Sequence, residues 1–541
     1  MEFELSERLA NKLLGQIDRN SPLAMRLAEH SMFHGKVMVP SSLFTGNMLD
    51  LLHGLSEMEG DHTLKLQVSA QMNILNDPET KRNWRIHEVI HGLITYFTKD
   101  AIDGWLYRRS KDGVLLPWLI NEARYIVPRE GKPYIIIRLT ANTIRAAHSD
   151  AAEDQRGHEA AMSTAILINA NDVAKRTIPE MLAEQGYYKE SPEFKREYEK
   201  HAARFLEAQP QFGKQYVYRK AALITPDKHK VELIRLKEGM SAKCVNDEET
   251  LDRQFRLTAN ADFWREHGLS QGFDRIPLHC YLYLFHLELH HHIWVHVQNL
   301  EEYKYKPELR EKLILPQEHR DLIDILTSDM NVLMEDIVQG KSGGTTILCM
   351  GAPGLGKTLT AEVYSEVVGK PLYRVHSGQL GTTAASVERT LSEILQRAAR
   401  WDSILLLDEA DVYIRCRDND VQHNAIVAEF LRTLEYFNGL LFMTTNRVND
   451  VDDAILSRCI AIIKYEAPSK EDARRLWRSL GEQFQAEMSD ELVERLTTIF
   501  PQASGRDIKE LLKLTSRFCK SKNIPLSEDA FKACAVFRGK I

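Results

Sequence analysis

At 541 residues and 43% hydrophobic, the chain is too long for one ordinary core and apolar enough to fill several, so three or four folded units of mixed α/β type are expected. A net charge of −7 lacks the basic excess with which a dedicated nucleic-acid binder displaces counterions, although a local basic groove stays open. The seven cysteines are an odd set without a C-x-x-C pair, which argues against zinc or redox chemistry and for buried thiols in a reducing compartment.

The N-terminal stretch MEFELSERLANKLLGQ alternates apolar and charged residues and does not read as a signal peptide. No later segment supplies the roughly 20 apolar residues that span a bilayer, so a cytoplasmic chain with no membrane contact is expected. Residues 1–150 and 151–305 read as accessory regions, or as one unit, with strands expected at Trp105–Arg108, Tyr134–Leu139, Gln215–Leu223, Lys230–Leu236 and Cys280–Val297. The polar, alanine-rich run Ala146–Met162 fits a loop, a linker or an exposed helix. Ser191–Phe205, with a capping serine, a proline at the first helical position and interleaved charges, predicts a solvated helix.

In Leu287–Val297 (LELHHHIWVHV), the residues His290, His292, Trp294 and His296 would share one strand face. Alternate histidines can bind a metal. No cysteine or carboxylate cluster at ligand spacing accompanies them, so a hairpin packed on a neighbouring domain is the competing reading.

From residue 306 the pattern changes to alternating strands and helices, which predicts a parallel sheet covered on both faces through residue 466. Strands are expected at Thr345–Met350, Leu372–Val375, Ile404–Leu407, Leu440–Thr444 and Ile460–Tyr465, with crossover helices at Ser386–Arg400 and Asn424–Phe437. Residues 467–541 read as a small helical domain, opened by a capping box in Pro468-Ser469-Lys470-Glu471-Asp472.

The first of these strands runs into Gly351-Ala352-Pro353-Gly354-Leu355-Gly356-Lys357-Thr358. Such a loop points backbone amides at phosphates from a helix N-terminus, with Lys357 as a point charge and Thr358 as a hydroxyl ligand for Mg²⁺. Ser403–Asp411 (SILLLDEAD) is an apolar strand ending in carboxylates. Asp408 would hold Mg²⁺ and Glu409 would activate the attacking water; merely capping the next helix is the alternative for both. Leu440–Asn446 (LLFMTTN) is a third strand end, where Asn446 could orient that water.

These motifs, followed by Asp453–Cys459 (DAILSRC) and Ser504–Ile508 (SGRDI), in that order resemble the AAA+ ATPases over residues 310 to 541. The whole chain is similar to bacterial and fungal AAA proteins with long N-terminal extensions. The resemblance implies a P-loop NTPase α/β domain with a helical lid, preceded here by a mixed α+β region. It makes Lys357 and Thr358 the Walker A pair, Asp408 and Glu409 the Walker B pair, Asn446 sensor 1 and Arg506 sensor 2. It also makes Arg458 an arginine finger that reaches a neighbouring subunit's nucleotide. A surface arginine and a helix-start arginine are the plainer readings of Arg458 and Arg506.

Ser377–Val387 (SGQLGTTAASV), where many family members that thread polypeptide carry an aromatic residue, has none. A remodelling motor that grips differently, or a switch, is therefore favoured over a processive unfoldase. The expected function is a ring-forming, hexameric ATPase that uses ATP and Mg²⁺ to remodel or disassemble a protein partner held by the N-terminal region. The alternatives are a nucleic-acid-associated switch of the clamp-loader or genome-defence type, and an ATP-gated scaffold that hydrolyses little.

Overall fold

The computed structural model describes residues 2–19, 21–30, 37–40, 43–75, 84–144, 161–173, 175–227, 230–251, 259, 262–267, 272–328, 344–417, 419–435 and 437–539. The stretch 146–160, within the run read as a loop, linker or helix, lies outside these residues, while Ala161 and Met162 begin a strand.

A small N-terminal unit pairs strand Glu2–Leu5 antiparallel with Val37–Pro40. It closes a core of Phe3, Leu5, Leu9, Leu13, Leu49 and Leu52 beneath its helices. Next comes a five-stranded sheet, in the order Ala161–Asn169, Tyr134–Asn142, Leu115–Ile126, Trp105–Arg109 and Tyr187–Lys189. Strands on either side of residue 150 pair from Tyr134↔Asn169 to Asn142↔Ala161. The sequence-based division at residue 150 therefore falls inside one sheet, because a long insertion between two paired strands reads in sequence like a linker.

Helix Pro192–Ala208, capped by Ser191 as expected, leads into an antiparallel seven-stranded sheet. Its order is Lys230–Arg235, Ala221–Asp227, His291–His296, Tyr281–His286, Ser241–Asn246, Gln215–Arg219 and Leu300–Glu302. One buried core runs through both large sheets, from Val89 to Leu300. The stretch read as a single strand Gln215–Leu223 is broken at Lys220, whose φ of 65° lies in the left-handed region that ends extended pairing.

Leu287–Val297 is likewise a turn followed by a strand. His290 sits in the turn at φ 55°, off the face shared by His292, Trp294 and His296. These three are taken up by protein neighbours: His292 stacks on Tyr283, which Trp294 also meets, and lies 2.7 Å from Asp247. Trp294 packs among Leu223, Tyr281 and Val114, and His296 lies edge-on to His201. Among the described residues no group of three or more His, Cys, Asp or Glu could hold a metal ion.

The C-terminal α/β domain contains β1 (Thr345–Gly351), α1 (Lys357–Val368), β2 (Leu372–His376), α2 (Ala384–Arg400) and β3 (Ile404–Asp408). After a short helix, Asp411–Ile414, follow α3 (Val421–Leu434), β4 (Leu440–Thr445), α4 (Asp453–Arg458) and β5 (Ala461–Tyr465). All pairings are parallel, in the order β2-β3-β4-β1-β5. Every residue of β3 and β4 is buried, as a sheet covered on both faces requires. This is the α/β P-loop NTPase fold with a mixed α+β N-terminal region.

Four further helices, α5 (Lys470–Gln483), α6 (Asp490–Ile499), α7 (Gly505–Lys522) and α8 (Glu528–Ala535), form the lid around Trp477, Leu496, Leu511 and Phe531. α7 shows how sequence sets such a helix. Ser504 and Asp507 form a reciprocal capping box, and the buried Ile508, Leu511, Leu512, Thr515 and Cys519 recur at helical spacing. Asn523, left-handed at φ 53°, ends it. At α5 the Ser469 side chain accepts from the Asp472 amide, but the Asp472 carboxylate accepts in return from the Ser469 hydroxyl, at 2.7 Å, rather than from the Ser469 amide. Among the described residues no helix is long and apolar enough to cross a membrane. Five cysteines are buried, whereas Cys416 is exposed, so the expectation of buried thiols fails there.

Two carboxylates cross the junction between the N-terminal region and the α/β domain. Asp247, 1% exposed, lies 2.7 Å from His292 Nε2 and accepts from Trp401 Nε1 at 2.8 Å and Arg400 Nη2 at 3.3 Å. In the other direction Glu366 of α1 accepts from Lys243 Nζ at 3.1 Å, from the Lys306 amide at 3.1 Å and from the Tyr303 hydroxyl. At the same junction the Phe285 ring packs against Tyr373 and Trp401.

Burial pushes the Asp247 carboxyl up, but the hydrogen bonds of His292 and Trp401 and the Arg400 charge leave it net below the usual value. A depressed carboxyl stabilises the fold above its unfolded-state pKa, and loses that contribution as pH falls through the folded-state value. Asp247→Asn is therefore expected to cost about 2 kcal/mol at pH 7, with the gap to wild type closing below about pH 4. Thermal melts of both proteins across that range check it; a gap that stays constant into acid contradicts it.

Candidate functional site

The loop between β1 and α1 has to turn sharply and let other chain segments approach closely, and glycine permits both. Gly354 and Gly356 take φ of +83° and +96°, open to glycine without strain. A Cβ on Gly354 would lie 2.7 Å from Ser504 Oγ and 2.8 Å from Arg506 Cβ. The lid thus rests directly on the loop, and the Arg506 amide donates to the Gly354 carbonyl at 3.2 Å.

A cavity of about 1150 Å³ opens here, outside the carboxyl ends of the parallel strands, where ligands bind in open α/β sheets. Pro353, Gly354, Leu355, Gly356, Lys357, Thr358, Asp408, Glu409, Asn446 and Arg506 all line it. The carbonyls of Gly351 and Ala352 each accept from Lys357 Nζ at 2.7 Å, and Asn446 Oδ1 accepts from the same ammonium at 2.9 Å. Burial lowers the Lys357 pKa from its ordinary value, while the Asp411 and Asp408 carboxylates act in the opposite sense.

Asp408 ends β3 almost fully buried. Its Oδ1 accepts from the Thr358 hydroxyl at 2.8 Å and the Thr444 hydroxyl at 2.6 Å. Burial pushes this carboxyl up, yet those two bonds and the Arg374 charge hold it below the usual range. A hydroxyl beside a charged carboxylate is the hard, all-oxygen donor pair that suits Mg²⁺. Glu409 follows at φ 56°, a conformation costly for a non-glycine residue. Its amide donates to Thr444 Oγ1 at 2.9 Å, fixing the backbone where the chain leaves the sheet.

Sequence reasoning singled out the ends of β1, β3 and β4 but missed three residues that organise them. Thr444 bridges Asp408 and Glu409. Asp411 receives the Asn446 amide at 3.1 Å and the Thr445 hydroxyl, which fixes the end of β4. Both lie within the quoted motifs, which were the available signal. Arg374 of β2 meets Asp408 Oδ2 at 2.5 Å; a lone arginine in a strand announces nothing. Further cavity wall comes from Leu309, Leu313, Leu315 and Pro316 on one side and Leu476 and Leu480 of α5 on the other. Their apolar side chains carry no motif.

Arg458 is not brought into this cavity. At the end of α4 its guanidinium contacts the Ala454 carbonyl at 3.4 Å and Glu435 at 3.7 Å. α4 is nonetheless tied to the β3 end: its capping residue Asp452 donates its amide to the Ile414 carbonyl at 2.8 Å and forms a two-pronged pair with Arg417. Across the domain, the Tyr413 hydroxyl lies 2.8 Å from the carbonyls of both Ser377 and Gly381. It clamps the turn that lacks an aromatic residue.

Residues 347–467 match the family model described as "ATPase family associated with various cellular activities (AAA)". The chain is 29% identical over 175 residues to an uncharacterized AAA family ATPase of Sinorhizobium fredii, covering 29% of this chain and 52% of that protein. It is 26% identical over 179 residues to a 26S proteasome regulatory subunit homolog of Methanothermobacter marburgensis, covering 31% and 48%. Zebrafish (Danio rerio) spastin is 25% identical over 178 residues, covering 31% of each chain. The chain thus spans about half the length, or less, of the curated relatives it matches.

Proposed function

This chain belongs to the AAA ATPase family, and from that premise we propose that it is an ATP hydrolase that works as a ring, a hexamer in our reading, and remodels or disassembles a protein partner. The observation that carries the reading is the convergence of Lys357, Thr358, Asp408, Glu409 and Asn446, from the ends of β1, β3 and β4, on one cavity. The oxygen donors of Thr358 and Asp408 would hold Mg²⁺, which when bound neutralises phosphate charge.

The amides of residues 354–358 receive the β- and γ-phosphates at the start of α1. Lys357 is held among carbonyls and exchanges those acceptors for phosphate oxygens. Glu409 takes the proton of the attacking water, Asn446 orients that water, and Arg506 contacts the phosphates from the lid. Arg458, outside its own chain's cavity, acts in a neighbouring subunit. The apolar walls supplied by Leu309, Leu313, Leu476 and Leu480 accept the base.

Protein is favoured as the substrate class because a relative named as a 26S proteasome regulatory subunit homolog matches 31% of this chain. The N-terminal region is where that partner would be held, in the cytoplasm. Phosphate release measured against protein concentration tests the ring. Turnover per subunit should rise steeply and then level off. Constant turnover from a monomer down to high dilution would remove the ring from the proposal.

A further inference from the structure

Asp408 has two carboxylate oxygens in different situations. Oδ1 is committed to the hydroxyls of Thr358 and Thr444. Oδ2 is met by Arg374 Nη2 at 2.5 Å, so the position open to a cation on this carboxylate already has one. Arg374 reaches it from β2, the strand beside β3.

The same guanidinium has a second seat. Its Nη1 lies 3.5 Å from Glu362 Oε1. Glu362 is one helical turn beyond Thr358 on α1, hence on the same face as that hydroxyl. Among the described residues Arg374 is anchored to neither acid beyond these contacts: its Nε is buried with no hydrogen-bond partner there, and the side chain is 40% exposed. A planar fork between two carboxylates can turn from one to the other without losing a charged partner. Glu362, its side chain 44% exposed, is pushed up by burial and by the Asp408 charge and drawn down by Arg374 itself, so the guanidinium already acts on both carboxylates.

We propose that Arg374 is a resident counter-cation of Asp408 that a metal-bearing nucleotide displaces onto Glu362, so that this arginine sets how strongly nucleotide binding depends on the metal. The inference rests on the reading of Thr358 and Asp408 as the Mg²⁺ seat. It makes Arg374 a positioning residue, acting through Asp408. It also connects the seat to the turn after β2, because Arg374 lies three residues before Ser377, where the Tyr413 clamp begins.

The test is the affinity of a fluorescent ADP analogue for the full chain, measured with Mg²⁺ and with EDTA, and expressed as the ratio of the two dissociation constants. Arg374→Gln removes the competitor and should raise the metal-dependent ratio roughly ten- to a hundredfold. Arg374→Lys, a smaller donor set, should fall between it and wild type. Glu362→Gln deprives the guanidinium of its second seat and should lower the ratio, giving a change of opposite sign that a general loss of folding cannot imitate.

A wild-type ratio well above one that Arg374→Gln leaves unchanged would overturn the inference while leaving the metal seat intact. A loss of affinity in Arg374→Gln that is equal with Mg²⁺ and with EDTA would also overturn it, by making Arg374 a phosphate ligand. A wild-type ratio of one would sink the metal seat itself and this inference with it.

Discussion

Glu409→Gln is expected to bind ATP with near wild-type affinity and to hydrolyse it roughly 10²–10⁴-fold more slowly, the usual worth of a positioned general base. The substitution keeps size and shape and removes only the ability to accept a proton. The Glu409 amide is held on Thr444 Oγ1 at 2.9 Å, a backbone contact that the side-chain change leaves alone. Asp408, Thr358 and Lys357 keep their partners, so the phosphate seat should survive. Nucleotide titration and phosphate release on the same preparation separate the two effects. Wild-type turnover in this variant would move the chain to the ATP-gated scaffold reading. A fully slowed variant, held with ATP, is also the reagent with which to capture the partner, since blocked hydrolysis prolongs the bound state.

The second large effect concerns Arg458. It stands exposed, outside the cavity of its own chain, where its guanidinium meets Ala454 and Glu435. Arg458→Ala should therefore leave ATP affinity unchanged and depress turnover by roughly 10³–10⁵-fold, as a finger supplied across an interface does. Lys357→Ala should also be inactive, through lost phosphate contact. Mixed together, the two variants can form junctions in which an intact Lys357 faces an intact Arg458, and turnover should reappear. Co-assembled mixtures that stay silent would count against a shared site.

The α/β domain was legible because its strands are short apolar runs, each closed by a chemically distinctive end. Thr345–Met350 and Ile404–Leu407 were read almost to their limits, for these runs are buried on both faces. The N-terminal sheets gave no such contrast. Leu115–Ile126 contains Pro117, Asn121 and Glu122, and Ser241–Asn246 carries Lys243 within a six-residue strand. Their burial comes from partners distant in sequence, which local composition does not report. The errors at Lys220 and His290 share one cause: a single left-handed residue splits an otherwise continuous β-like run. At the cavity, the residues that meet there from quoted motifs carried a signal in the sequence. Arg374, whose meaning lies only in what stands across the sheet from it, carried none.

The crossed carboxylates at the N-terminal junction bear on how work leaves the molecule. Glu366 belongs to the helix that begins at Lys357, and Asp247 holds the end of the helix that follows the Tyr413-clamped turn. With both gripped, the N-terminal sheets are pinned to the α/β domain at two separate points, on α1 and at the end of α2, rather than hung from a single tether. The lid, by contrast, follows β5 through the short Glu466–Ser469 connection. If the chain works on a partner as proposed, a turn about that connection would swing the lid against a body pinned at two points, as a lever arm swings against its mount.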